Sequence, residues 1–362
     1  MLVKNRIESV DILRGFTIVA MILVNTPGTW SHIYAPLLHS EWHGLTPTDL
    51  IFPFFLFIVG ISISFAYKDK TKNKSTYNKI VIRSLKLTCL GLFLALFLPY
   101  PPFFEEFETL RFFGVLQRIG IVFLFSSILY FNCNWKTLLA IGCLILISYG
   151  LVLGYVPFPD GSLPTFDRAS NNWAMYVDSN LLGKHMWKTD YDPEGLLSTV
   201  PAIATCIIGI LVGNLLDRLR DIKLLLIAGF VLLLLGYILD IWIPINKALW
   251  TSSFVLVTAG WATLILGFIY YLTDVKQLRF GSLFKYAGMN AITIFFLSSF
   301  ISKIFYLTKV GDIDVHTRIF NKLFVYEFLS EKLSSLLYAL SVVLIYVYLG
   351  YFLYKRKIFI KV

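Results

Sequence analysis

Between the apolar runs at 10–29 and 47–67, and reaching into the start of the second, lies the densest group of polar side chains in the sequence. It comprises Trp30, His32, His39, Glu41, Trp42, His43, Thr46, Thr48 and Asp49. An imidazole titrates near neutrality, so a histidine here can take or give a proton at physiological pH. His39 and His43 stand four residues apart, with His32 and Asp49 close in sequence, and these are also residue types that hold zinc. A zinc site needs three or four convergent ligands and no HExxH sequence occurs, so no metal is expected. The plainer reading is a loop of ordinary surface histidines and interfacial tryptophans. Neither a GxSxG elbow nor a Walker-type phosphate loop is present.

Other candidates stand out by where they occur, because ionisable residues are costly inside membrane spans. Asp11 and Arg14 open the first apolar run, and Asn25 lies near its outer end. Arg118 falls about two turns into the fourth run, where it needs a buried partner or a ligand anion unless it snorkels outward. Asn290 and Lys303 occupy the ninth run, and Lys303 is near enough to an end to snorkel. The Asp11 and Arg14 pair also reads as an interfacial pair at a helix start.

The elements that must position these groups follow from composition. Of 362 residues, 57% are hydrophobic and only 15% charged, with a mean hydropathy of +0.73. Soluble domains carry roughly 25% charged residues, so this chain cannot cover itself with polar surface. Its apolar residues come in blocks of helix-spanning length, and inside lipid such blocks satisfy their own backbone as helices. The sequence therefore predicts an all-α integral membrane protein, a bundle of about ten transmembrane helices. They fall at 10–29, 47–67, 80–99, 112–131, 136–156, 196–216, 223–243, 250–273, 284–307 and 333–355. Residues 1–362 read as one transmembrane domain, with no visible internal repeat and no cleavable signal before the first helix.

Lys and Arg set the orientation. The 67–86 segment, with six lysines and Arg83, should be cytoplasmic, as should Lys4, Arg6 and the Lys355–Lys357 tail, which places both termini inside. Outer loops are then expected at about 30–46, 100–111, 157–195, 244–249 and 308–332. The net charge of +10 is explained by this distribution, so nucleic acid is not an expected partner and the lipid bilayer is. Cys89, Cys133, Cys143 and Cys206 form no CxxC pair and read as packing residues.

One stretch carries a family pattern: SVDILRGFTIVAMILVN from Ser9, then LHSEWHGLTPTDLIFPFFLFIVGISI. Four further blocks follow in the same order: GVLQRIG at 114–120, DPEGLLST at 192–199, PINKALWTSSF at 244–254 and YAGMNAI at 286–292. Together they cover nearly the whole chain from residue 9 to about 305. The sequence resembles the heparan-α-glucosaminide N-acetyltransferases and their shorter bacterial relatives, the NagX-type membrane proteins. The large amino-terminal luminal part of the animal enzymes has no counterpart here, which leads to the expectation of a bacterial inner-membrane protein. The resemblance implies acetyl-CoA as co-substrate, transfer of its acetyl group to a glucosamine amine across the membrane, and a homodimer. It also makes His39, in the H-x-x-W-x-G motif, the catalytic histidine.

Attack on a thioester requires an unprotonated amine, and an imidazole near pKa 6.5 can accept its proton. The expected roles are His39 as general base, with Asp49 or Asn25 fixing its tautomer and Asn25 or Asn290 donating to a developing oxyanion. Arg14, Lys285, Arg118 and Asn290 are the expected acetyl-CoA contacts, with Arg118 equally able to lock helices together. A rival chemistry makes His39 a nucleophile that carries the acetyl group. Rival functions are an amino-sugar transporter and an O-acyltransferase on the same scaffold. Trp173, Trp187 and Tyr191 are available to stack on a sugar or to anchor at the interface.

Overall fold

The computed structural model describes residues 7–360, so the expectation placed on Lys4 and Arg6 lies outside the described residues. The chain runs through α1 (Glu8–Asn25), α2 (Ile51–Tyr67), α3 (Lys74–Leu96), α4 (Val115–Asn132) and α5 (Trp135–Tyr155). There follow the short α6 (Trp173–Leu182), then α7 (Leu196–Leu219), α8 (Ile222–Leu239) and α9 (Ser252–Tyr270). The last third holds α10 (Ser282–Met289), α11 (Ala291–Leu307), α12 (Val315–Leu323) and α13 (Glu331–Lys355). A small antiparallel hairpin, β1 (Lys309–Val310) with β2 (Ile313–Asp314), joins α11 to α12.

Each of the ten expected spans coincides with helix, but not all have the character of a lipid-crossing segment. Among the described residues, seven helices are long and apolar enough to cross, and the count becomes eight if α10 and α11, bent by 81° at Asn290, make one span. The exceptions are α1 and α3. The first carries Glu8, Asp11 and Arg14, and the second Lys74, Lys79, Arg83 and Lys86. Pattern predicted the helices; charge limits which of them qualify by hydropathy.

The centre of the bundle is α2, α7 and α9, which bury most of their length. Peripheral α5, α8 and α13 leave most of theirs uncovered, exposing residues such as Ile227, Phe230 and Leu234 on α8 and Leu344 and Ile345 on α13. Contiguous apolar faces of this length on the outside of a bundle suit a hydrocarbon surround. Small residues bring helix backbones together, as membrane packing requires. A Cβ on Gly60 would strike the Cys206 carbonyl on α7, and one on Gly209 would strike the Phe57 carbonyl on α2. The seam between α1 and α10 is reciprocal in the same way, Gly15 meeting the Phe284 carbonyl and Gly288 the Asp11 carbonyl.

Helix ends are satisfied by distant side chains. The Asp274 carboxylate accepts from the Glu8 and Ser9 amides, both at 3.0 Å, and so caps α1. Buried Asp178 of α6 accepts from the Leu196 and Leu197 amides at 2.9 and 3.3 Å and fixes the start of α7. Burial pushes its carboxyl up to about 6, against the lowering by those two amides.

Candidate active site

The loop from Thr26 to Leu50 is shaped by its own turns before it meets anything else. Pro47–Leu50 form one short 3-10 turn with a capping box, in which Asp49 accepts from the Thr46 amide at 3.0 Å. The same carboxylate accepts from the Ser40 amide at 3.1 Å and the Thr46 hydroxyl at 3.0 Å, which pulls the loop over the start of α2. His39 is thereby delivered to it, with Nδ1 2.7 Å from Asp49 Oδ1. Asp49 is fully buried while the His39 side chain is 51% exposed, so the imidazole is anchored at one nitrogen and open to solvent over much of its surface. With Asp49 a carboxylate, the Nδ1 hydrogen faces it and Nε2 is left with its lone pair.

The other two histidines of the loop go elsewhere. Nε2 of His32 pairs with Glu331 at 2.8 Å and Nε2 of His43 with Asp167 at 3.0 Å. Three histidines thus settle on three different carboxylates. The long segment between α5 and α7 folds over this loop: the Trp42 indole donates to the Phe166 carbonyl at 2.9 Å and packs edge-on against Tyr191. Trp173 is committed to Phe158, on which it stacks, whereas exposed Trp187 lies against the Arg111 guanidinium. Arg111 in turn ties Asp192 and Glu194, each at 2.5 Å.

Lys247 is the functional group that sequence reasoning missed. Its Nζ lies 2.9 Å from Nδ1 and 3.3 Å from Nε2 of His39, and 3.5 Å from Asp49 Oδ1. The loop that carries it is held from within. Ile245 donates to Asp240 at 2.6 Å, the Asn246 side chain accepts from Leu249 at 2.9 Å, and Thr251 donates to the Pro244 carbonyl at 2.9 Å. It is held from without by Gly44, whose amide donates to the Ile245 carbonyl at 2.8 Å. Gly44 has φ of 104°, a conformation that a side chain would resist, which gives the glycine of the H-x-x-W-x-G motif a backbone reason. Burial pushes the Lys247 amine below its ordinary pKa, although Asp49 and Glu194 pull the other way.

Behind Lys247, Trp250 is fully buried and donates to Thr205 at 3.1 Å. Arg118 lies 5.0 Å from its ring, also fully buried. Arg118 donates to the Gly195 carbonyl at 3.1 Å and to the Ser198 hydroxyl, joining α4 to the start of α7. Its Nε and Nη1 find no hydrogen-bond partner among the described residues. Those contacts are the helix-locking ones. Asn25 closes α1 with its side chain exposed, and among the described residues no hydrogen bond joins it to His39 or Asp49.

At the other end of α2 lies a cavity of about 590 Å3, lined by residues of α1, α2, α3, α4, α10, α11 and the tail. Arg14, Lys79, Arg83 and Lys86 line it, with no acidic side chain among its described lining residues. Arg14 Nη1 holds Asp11 at 2.9 Å and Nη2 reaches the Ser62 hydroxyl on α2 at 2.7 Å. Asn290 lines the same cavity and pins the tail, donating to Ile358 O at 3.0 Å and accepting from the Ile360 amide at 2.9 Å. Arg14 and Asn290 are therefore brought together, away from His39, whereas Lys285 is outside this lining and pairs with Glu8 at 2.8 Å. The basic trio from α3 was visible in sequence at i, i+4 and i+7, one face of a helix, but only as a topology signal.

The cavity extends up α2 from Tyr67 to Phe55. At a rise of 1.5 Å per residue it follows that helix for about 18 Å and stops about 9 Å short of Asp49. A basic chamber at one end and an imidazole–carboxylate–amine cluster at the other thus share one helix as a common wall.

A family model described as the catalytic part of heparan-alpha-glucosaminide N-acetyltransferase matches residues 6–235. The heparan-alpha-glucosaminide N-acetyltransferase of Mus musculus is 29% identical over 422 residues, covering 99% of this chain. That of Homo sapiens is 28% identical over 424 residues, again covering 99% of the chain. The chain spans 61% and 60% of the length of these two curated relatives. Lys247 and Asn290 fall beyond the family-model match. Two expectations are corrected. The relatives found are mouse and human proteins, not bacterial NagX-type ones, so the assignments to a NagX-type member and to a bacterial inner membrane both fall. Both rested on where the chain begins, and that carries no information about source or compartment. What stands is a multi-pass membrane protein with a matched catalytic region, and this chain belongs to the heparan-alpha-glucosaminide N-acetyltransferase family.

Proposed function

We propose that this chain transfers acetyl from acetyl-CoA, held in the basic cavity, to the amine of a glucosamine-type sugar at His39 on the far side of the membrane. The observation that carries the reading is the shared wall: α2 runs from the cationic cavity directly to Asp49 and His39. The Lys- and Arg-rich α2–α3 connection supports a cytoplasmic side for the cavity, and on the same positive-inside reading α1 and α3 would complete ten crossings with both termini on that side. CoA presents several phosphate charges, and Arg14, Lys79, Arg83 and Lys86 are the cations to meet them. The thioester arm then lies along the α2 face, past Ser62 and Ile58, toward the dyad.

At the dyad, His39 Nε2 takes the proton that the acceptor amine loses as it attacks the thioester carbonyl. Asp49 holds the productive tautomer and favours the imidazolium as it forms. Arg118, Arg111 and the carboxylates around them hold the surrounding loops in register with this centre. Direct transfer is preferred to an acetyl-imidazole, because His39 is open to water that would hydrolyse such an intermediate.

The test uses the protein in proteoliposomes with acetyl-CoA and a panel of amino sugars. The expected result is acetyl-CoA-dependent N-acetylated glucosamine, read by mass spectrometry. Sugar counterflow without acetyl-CoA and without product would overturn the reading in favour of transport, and an O-acetylated product would overturn the amine as acceptor. A second expectation concerns the donor. Charge reversal at the cavity, Arg83→Glu with Lys86→Glu, raises KM for acetyl-CoA by about tenfold or more, as loss of charge-assisted phosphate contacts requires, and leaves KM for the sugar unchanged. Equal changes in both would place CoA elsewhere.

A further inference from the structure

Lys247 brings a primary amine of the chain itself to the place where, on the reading above, the amine of the acceptor must bind. Its Nζ sits 3.3 Å from His39 Nε2, the nitrogen that has to receive a proton, and 3.5 Å from Asp49 Oδ1. Nζ is nearer still to Nδ1, at 2.9 Å, so it lies against the ring, and a swing of the side chain alone would bring it into line with the Nε2 lone pair without movement of the backbone. The approach is no accident of a mobile side chain: the Lys247 loop is fixed by the Asp240, Asn246 and Thr251 bonds and by Gly44, and the side chain is only 17% exposed. Two other lysines in the bundle are spent differently, Lys285 on Glu8 and Lys303 on the Leu94 and Ala95 carbonyls.

We propose that Lys247 is a built-in acceptor: when acetyl-CoA is bound and no amino sugar is present, His39 promotes acetylation of Lys247 Nζ, and the acetylated chain is closed to further turnover. The inference rests on His39 being the site at which the thioester meets its acceptor. Unprotonated Nζ adds to the thioester carbonyl carbon, a carbon–nitrogen bond forms and the carbon–sulfur bond breaks. The surplus proton on nitrogen passes to His39 Nε2 and from there to the departing thiolate, so the products are acetyl-lysine and CoA. The burial that lowers the Lys247 pKa supplies a larger share of the unprotonated amine. An amide is far less reactive than a thioester, so the group does not move on to a sugar. It leaves a neutral, longer side chain against Asp49 where an amine would have bound.

The experiment incubates the full chain in proteoliposomes with isotope-labelled acetyl-CoA and no sugar, then locates label by peptide mass spectrometry and assays the same sample for transfer to glucosamine. The expected result is label on Lys247 that accumulates with time, with residual transfer falling in step, and protection by saturating glucosamine. The label forms about 100-fold more slowly in His39→Ala, the factor a general base contributes. Acetyl-CoA binding by that variant is measured alongside, and Lys247→Arg serves as the unlabelled control. A preparation that acetylates glucosamine yet leaves Lys247 unlabelled overturns the inference, and so does equal labelling with and without His39. Labelled Lys247 in a preparation that acetylates no sugar upholds the inference and removes only the sugar as acceptor. A preparation that acetylates neither overturns both.

Discussion

Alanine in place of His39 lowers acetyl transfer by about 10²- to 10⁴-fold, the range that a positioned general base supplies, while acetyl-CoA binds as before. The separation of the two effects follows from geometry. His39 is not among the residues lining the basic cavity, and its loop does not depend on it. Asp49 still accepts from Ser40 and Thr46 when the imidazole is gone, and Lys247 remains 3.5 Å away to balance its charge. The measurement is single-turnover formation of N-acetylglucosamine, set beside equilibrium binding of labelled acetyl-CoA. A folded variant that still transfers at a tenth of the normal rate would remove His39 from the mechanism in either form. Rapid quenching of the unaltered protein with acetyl-CoA alone separates the two forms, since only the nucleophile leaves acetyl on the ring.

Asp49→Asn produces an effect of similar size for a different reason. The carboxylate accepts four hydrogen bonds, from His39, Ser40 and twice from Thr46, and an amide has only one acceptor atom. If the new NH2 faces His39, the ring turns to the other tautomer, its Nε2 carries the hydrogen, and the base is lost. Where geometry survives such a change, turnover falls by about 10⁴-fold. If the NH2 faces Ser40 and Thr46 instead, two amides lose their acceptor in a buried site, at about 1–3 kcal/mol for each unsatisfied group. Turnover and thermal unfolding in detergent distinguish these outcomes: the first orientation lowers kcat with an unchanged Tm, the second lowers Tm. A variant unaltered in both would mean that Asp49 neither orients the imidazole nor holds the loop.

Local pattern went a long way in this chain. Block length and apolar composition located helices at ten positions, and the family resemblance carried by the H-x-x-W-x-G motif singled out His39, which the structure pairs with Asp49 ten residues on. What pattern missed was set by contacts between distant segments. Lys247 is 208 residues from His39 and looks, in sequence, like one lysine in a short polar loop. Asn25 stands out in sequence as a polar residue near the outer end of an apolar run, yet at the end of α1 its side chain is exposed. Arg118 and its partners Gly195 and Ser198 stand in two separate motifs, and only the α4–α7 contact shows that they belong together. The lysines and arginine of α3 were read for the side of the membrane they mark. Their shared face was available in the spacing, but the Arg14 and Asn290 that complete the chamber come from both ends of the chain.

The paired glycines of the two tight seams bear on how a cargo could cross. Where Gly15 and Gly288 put α1 and α10 in backbone contact, and Gly60 and Gly209 do the same for α2 and α7, neither pair can slide unless one peptide group climbs over another. Each of these pairs is therefore built to move as one unit, and α1, α10 and α2 line the basic cavity. On the proposed reading such walls would act as a ruler, and the span between the basic cavity and the imidazole would set the length of a molecule that bridges the two ends.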